Sequence, residues 1–169
     1  VFLSAGKKKL KDAEKPMTSA SAGLDASGFI PLYGNWVIQL ANVARFQQSW
    51  DGQNVVPLKE NELYRFGGFG SLRGFDDNAL RASIYTLSTI QLKYMLSRNS
   101  NAYAFFDGAW YEKNVAGGQV NDFPFGFGLG AHIDSGAGIF YISYALGRQL
   151  GNPIEVGSAR IHLGYVSKF

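Results

Sequence analysis

The stretch FGFGLGAHI, Phe125 to Ile133, alternates without a break. Phe125, Phe127, Leu129, Ala131 and Ile133 fall on one face, and Gly126, Gly128, Gly130 and His132 on the other. A period of two is the mark of a strand with unlike faces. The second face is almost bare backbone, which predicts that something bulky approaches it closely.

The same reading extends in both directions. Residues 18–29 place Ala20, Ala22, Leu24 and Ala26 against Ser19, Ser21, Gly23, Asp25 and Ser27. Residues 35–48 place Trp36, Ile38 and Leu40 against Gln39, Arg45 and Gln47, and residues 83–96 place Ile84, Ile90, Leu92, Tyr94 and Leu96 against Thr89, Gln91 and Lys93. Residues 102–113 put Phe106 and Trp110 opposite Tyr103, Phe105, Asp107 and Tyr111. Segments 1–8, 139–149 and 158–169 also read as strands, giving about eight in all. Short turns at 31–35, 97–101 and 134–138 alternate with longer loops at 9–16, 49–80, 114–122 and 150–156. That asymmetry, with strands long enough to cross a bilayer, predicts an all-β, antiparallel transmembrane β-barrel. Closure satisfies the backbone edges that hydrocarbon would leave unpaired.

Composition agrees. Of 169 residues, 46% are hydrophobic, 15% aromatic and only 17% charged, with 21 glycines. The charged share is below the roughly 25% of a soluble domain. No apolar run approaches the ~18 residues of a membrane helix, so a membrane crossing must be made by strands. Trp36, Trp50 and Trp110 are expected in interfacial girdles. A net charge of +3 is too small to imply nucleic acid, and the basic run Lys7, Lys8, Lys9 and Lys11 reads as a solvated loop. Cysteine is absent, which excludes a disulfide framework or thiolate metal site. The chain opens at Val1 inside an apolar run and is expected to be a processed product or a piece of something longer.

One stretch fits neither period. Residues 67–80, GGFGSLRGFDDNAL, set an arginine and two aspartates among glycines and phenylalanines. They belong to a loop at 49–80, and loops of that length are usually functional. GGFGSLRGF, Gly67 to Phe75, resembles the sixth extracellular loop of the BamA/TamA superfamily of outer-membrane assembly and translocation barrels. Phe105-Phe106-Asp107 resembles that family's downstream F-x-D pattern, and PFGFGLG and RIHLGYVSKF resemble its last strands. The likeness covers the chain most clearly from residue 35 onward.

The resemblance implies specific roles. The motif residues are Gly67, Gly68, Leu72, Arg73, Gly74 and Phe75. The loop would fold back into the lumen, with Arg73 tethered to Asp107 on the inner wall. Gln91 stands where the family often has a glutamate, so it can accept a hydrogen bond without bringing charge. Gly164 and Phe169 would form the terminal-strand signal, although Ser167 departs from the usual aromatic. The family barrel has sixteen strands, preceded by POTRA repeats; this chain, residues 1–169, corresponds to the C-terminal half. A missing N-terminal half barrel with POTRA repeats, or a second copy of the chain, would complete it; the alternative is that the eight strands close alone. The implied partners are outer-membrane lipid, lipopolysaccharide and client outer-membrane proteins, with no cofactor, at the bacterial outer membrane.

His132, Asp134 and Ser135 have the types of a hydrolase trio, but neighbours on one strand do not converge as nucleophile and base. GFGLG lacks the spacing and helix of a dinucleotide site. No metal-ligand spacing is present, and no enzyme activity is expected. Insertion, assembly or translocation of outer-membrane proteins is the expected function. The alternatives are a barrel anchor for a patatin-like lipase, a two-partner secretion translocator and a small soluble ligand-binding β-barrel.

Overall fold

The computed structural model describes residues 2–8, 17–151 and 153–167. Twelve strands are found among them: β1 (Phe2–Lys8), β2 (Met17–Pro31), β3 (Trp36–Asp51), β4 (Asn54–Val56), β5 (Tyr64–Phe66), β6 (Leu80–Ala82), β7 (Ile84–Met95), β8 (Asn101–Val115), β9 (Gly118–Asp122), β10 (Phe125–Asp134), β11 (Gly138–Arg148) and β12 (Arg160–Ser167). Eight long strands make one antiparallel sheet in the order β1-β2-β3-β7-β8-β10-β11-β12. The expected all-β antiparallel fold and its eight spanning strands are therefore present. Among the described residues, β1 and β12 end this path, and each pairs with one neighbour.

Register converts the alternation into two surfaces. One cross-strand row reads Ile30, Ile38, Leu92, Ala104, Leu129, Tyr144, Ile161, apolar from β2 to β12. The adjacent row, on the opposite face, reads Phe29, Gln39, Gln91, Phe105, Gly128, Ala145, Arg160. The apolar row belongs to the outer face, and its side chains stay uncovered: Leu129 is 65% exposed and Ile161 67%. A soluble sheet buries such a face against a second layer; among the described residues nothing covers this one, as a lipid-facing wall requires. Trp36 stacks edge-on against Tyr94 at 5.0 Å near the short-turn end, and Phe46 lies ten residues along the same strand. At about 3.3 Å per residue and a tilt of about 40°, that separation spans roughly 25 Å, the height of an apolar barrel band. One polar spot interrupts this face: Asn42 donates to Ser88 Oγ at 2.9 Å and to Thr86 Oγ1 at 3.2 Å.

Two expected loops are partly strand. The segment assigned to a loop at 49–80 begins inside β3, which runs to Asp51 and turns back as β4; β5 and β6 pair farther on as a second hairpin. The irregular stretches are 57–63 and 67–79. The polar loop at 114–122 is instead the hairpin of β8 and β9. β4 and β9 extend the main sheet past the apolar band, where water tolerates polar side chains on both faces and the alternation signal is lost; β5 and β6 form a separate two-stranded sheet. The loop at 9–16, with Lys9 and Lys11, and Phe169 of the terminal signal lie outside the described residues.

The inner face is not wet throughout. Phe66, Leu72, Leu80 and Ala82 come in from the loop and pack on Tyr85, Leu87, Ala109 and Tyr111 of β7 and β8, all buried. Phe66 lies parallel to Tyr85 with ring centroids 4.5 Å apart. Polypeptide rather than water covers this part of the wall, so apolar residues are favoured on both sides of the contact.

If lipid is the outer layer, an outer-face charge at mid-strand is costly. Leu129→Arg should lower unfolding stability in lipid vesicles by about 2–4 kcal/mol, the midplane cost for arginine on a barrel. Urea titration followed by tryptophan fluorescence measures it; an unchanged midpoint would show that Leu129 faces water.

Candidate functional site

The glycine-rich arm 67–77 crosses the inner face of the sheet. Its own hydrogen bonds fold it before it meets the wall: Gly67 N–H donates to Ser71 Oγ at 2.7 Å, Gly68 N–H to Leu72 C=O at 2.9 Å, and Asn78 N–H to Gly67 C=O at 3.2 Å. Leu72 is fully buried in the apolar cluster, which anchors the arm beside Arg73. The next residue is thereby aimed at β8.

Arg73 reaches Asp107 through a forked pair of bonds. Nε donates to Oδ2 at 2.7 Å and Nη2 to Oδ1 at 2.7 Å. The Arg73 backbone N–H adds a third bond to Oδ2 at 3.2 Å, and Thr89 Oγ1 on β7 a fourth to Oδ1 at 2.8 Å. A carboxylate has about four acceptor sites, so Asp107 is saturated. Its side chain is 0% exposed and that of Arg73 6%. The rest of the guanidinium is also occupied. Its carbon sits 3.5 Å from the centroid of the Phe105 ring. With its amide oxygen turned toward the guanidinium, Gln91 accepts from Nη1 at 3.2 Å and from Nη2 at 3.1 Å. A buried charge in a low-dielectric site persists only when it is paired and hydrogen-bonded, and this one is both.

Backbone shape completes the seat. Thr89, Asp107, Gly126 and Gly147 are successive partners in one inner-face row across β7, β8, β10 and β11. A Cβ at Gly126 would overlap the Arg73 carbonyl oxygen, and one at Gly147 would come within 2.5 Å of the Gly74 carbonyl oxygen. Gly74 itself has φ of 92° and lies against the Gly147 backbone, so a side chain there is both strained and obstructed. The arm therefore rests main chain to main chain on β10 and β11. The approach that the bare face of β10 predicts is made at Gly126 by the loop; at Gly128 and Gly130 the Phe105 and Tyr103 rings lie over the strand.

The arrangement brings Arg73, Asp107 and Gln91 together, with Gly67, Gly68, Leu72, Gly74 and Phe75 shaping the arm. Phe75 lies beside Gly147 and packs against the Leu72 cluster. Gly164 stands apart on β12, where a Cβ would meet Tyr141 at an ordinary 3.8 Å. The sequence reading missed Thr89, Phe105 and the Gly126–Gly147 landing. Thr89 shares the inner parity of Gln91, which was a usable signal; Phe105 was assigned to the correct face but not as a stacking platform. His132 lies between Tyr103 and Tyr141 at 5.0 and 4.6 Å, while Ser135 Oγ donates to Gly138 C=O inside its own turn. The three side chains of the hydrolase-like trio thus do not converge. Among the described residues no cluster of three metal-ligating side chains occurs.

Outside the band, Glu60 pairs with Lys113 at 2.6 Å and Arg81 at 3.1 Å, pinning the β5–β6 hairpin beside β8. Hydrogen bonds from Lys113 first, then Arg81, hold the Glu60 carboxyl below the usual glutamate range.

Two predictions concern this site. Arg73→Ala strands the Asp107 carboxylate and should cost about 3–5 kcal/mol, with loss of protease resistance in the arm; a lysine, lacking the planar fork, should not restore it. Gly126→Ala should release the arm in the same proteolysis assay while leaving both charged partners intact, and equal resistance to wild type would separate the arm from β10. For Glu60, a lowered folded pKa means that its contribution is complete above the unfolded value of about 4.3 and drains away as pH falls through the folded value. Proteolytic protection of residues 57–66 should therefore weaken at acid pH in wild type, and this acid-dependent loss should be absent in Glu60→Gln.

No curated protein and no solved structure matches the chain. The family model for the Omp85 superfamily domain does, over residues 15–169. With the sheet, its two unlike faces and the arm seated on the inner wall, that match means that the chain belongs to the Omp85 superfamily, whose domain is a β-barrel and whose members are outer-membrane proteins.

Proposed function

We propose that this chain is the membrane-embedded C-terminal part of a bacterial outer-membrane machine that inserts or translocates other outer-membrane proteins, without chemical catalysis. The observation that carries this reading is the state of β12. Among the described residues it bonds to β11 alone and ends the sheet, where a barrel would have its seam, and its outer-face side chains Ile161, Leu163 and Tyr165 are exposed. A strand edge inside a membrane presents backbone donors and acceptors that lipid does not satisfy, which makes it a template for another strand. A client strand, whose own edge carries the same unmet demand, is the natural partner for strand addition.

In this mechanism the sheet supplies geometry rather than chemistry. The arm keeps the inner wall in shape while the edge exchanges partners, and an upstream half barrel with POTRA repeats would bring clients to it. Outer-membrane lipid and lipopolysaccharide form the solvent of the outer face. The saturated Asp107 has no acceptor site left for a reaction, so the buried ion pair serves to hold the arm.

The test is reconstitution of the full-length protein into lipid vesicles. It should accelerate folding of an unfolded outer-membrane barrel, read as protease-resistant product, and a photo-crosslinker at Leu163 should capture the client. Acceleration without any β12 crosslink would place the docking strand elsewhere; no acceleration would overturn the assembly reading.

A further inference from the structure

The arm 67–77 is held in two ways, and the second has a different character from the first. Arg73 is sunk in the wall. Beyond it, Asp76 reaches the first residue of β12: Arg160 Nε lies 2.8 Å from Asp76 Oδ1, and Nη2 donates to Oδ2 at 3.1 Å. Before it, Phe69 packs on the next inward residue of the same strand. Its ring centroid is 6.0 Å from that of His162 on β12 and 5.9 Å from that of Tyr141 on β11. The arm thus grips Arg160 and His162, consecutive inner-face positions of the terminal strand, from both sides of Arg73.

This grip is built to let go. The Asp76 and Arg160 side chains are 69% and 45% exposed, where water and salt screen an ion pair. The forked geometry gives it direction rather than strength. Among the described residues, β12 contributes nothing to either buried apolar cluster. Among the described residues it is attached by its ladder with β11, from Ala145↔Arg160 to Gly138↔Ser167, by Tyr165, whose ring lies 4.7 Å from Phe140 and whose hydroxyl donates to Ala137 C=O at 3.2 Å near the far end, and by these two contacts of the arm at the Arg160 end.

We propose that the arm is a clasp on the terminal strand. Asp76 and Phe69 hold the Arg160 end of β12 against the sheet, and their release frees that end from β11 while Arg73 stays on Asp107. The fixed point is the fulcrum and the exposed point is the catch. A client strand competing for β12 would find its starting place at the Arg160 end, where the catch opens. This last consequence rests on the docking reading proposed above; the clasp itself does not.

Hydrogen–deuterium exchange on the full chain in lipid vesicles tests it. Asp76→Arg should raise exchange of the β12 amides bonded to β11 by about tenfold through local opening, with the β8 amides unchanged. Phe69→Ala should act in the same direction without changing charge. The exchanged pair, Asp76→Arg with Arg160→Asp, should restore protection, which a misfolded variant would not do. Wild-type exchange in both single variants, or no restoration in the exchanged pair, overturns the clasp. Faster β12 exchange without greater crosslinking of a client strand leaves the clasp standing and overturns the docking role instead.

Discussion

One carboxylate sets the terms for the inner face. Asp107 accepts from the Arg73 side chain twice, from the Arg73 backbone once and from Thr89 once, and is sealed from solvent. Removing any donor leaves a lone pair with no water to replace it, and removing the arginine leaves a net charge. Such a site specifies one arrangement of the arm instead of many. The glycines of the seat follow from it: the guanidinium can lie flat on Phe105 and reach Asp107 only if the main chain behind it touches β10, and only Gly126 leaves room.

The two faces obey different solvents. The outer one keeps aliphatic side chains uncovered in continuous rows, a pattern with no justification in water. The inner one is divided between a dry contact under the β5–β6 hairpin and a polar area around Gln39, Gln91 and Tyr103. A single residue of register slip would exchange these environments along a whole strand, so every ladder is strongly specified. Asn42 shows the limit of tolerance: its amide faces outward, with its donors turned onto neighbouring hydroxyls instead of lipid.

The legibility of the chain tracks those solvents. Inside the band, period two was enough to place the eight spanning strands and to assign Asp107, Gln91 and Thr89 to the inner side. Beyond it that contrast fades, and β4 and β9 were read as loop; β5 and β6, three residues each, were too short to show a period. The Arg73–Asp107 pairing came from the likeness of GGFGSLRGF to a family loop; nothing in local periodicity brings together residues 34 positions apart. The dry contact of Phe66, Leu72 and Leu80 was also hidden, because a buried loop carries apolar residues without a repeating interval. The bare face of β10 announced an approach but not its author. The structure puts the glycines of β10 under the arm and the aromatic rings, two strands from the β12 end of the sheet.

The reach of the arm also orders events in time. Its contact with Arg160 joins residues 84 positions apart and needs the final strand to be in place. Closing a loop of that length is entropically expensive and slow, so it comes after the nearer pairings have formed. Seating at Asp107 draws on β7, β8, β10 and β11, whereas the grip on Arg160 and His162 needs β12 as well. The handshake between Asp76 and Arg160 therefore ties the arm to β12 across a long stretch of chain, and it exists only where β12 lies beside β11.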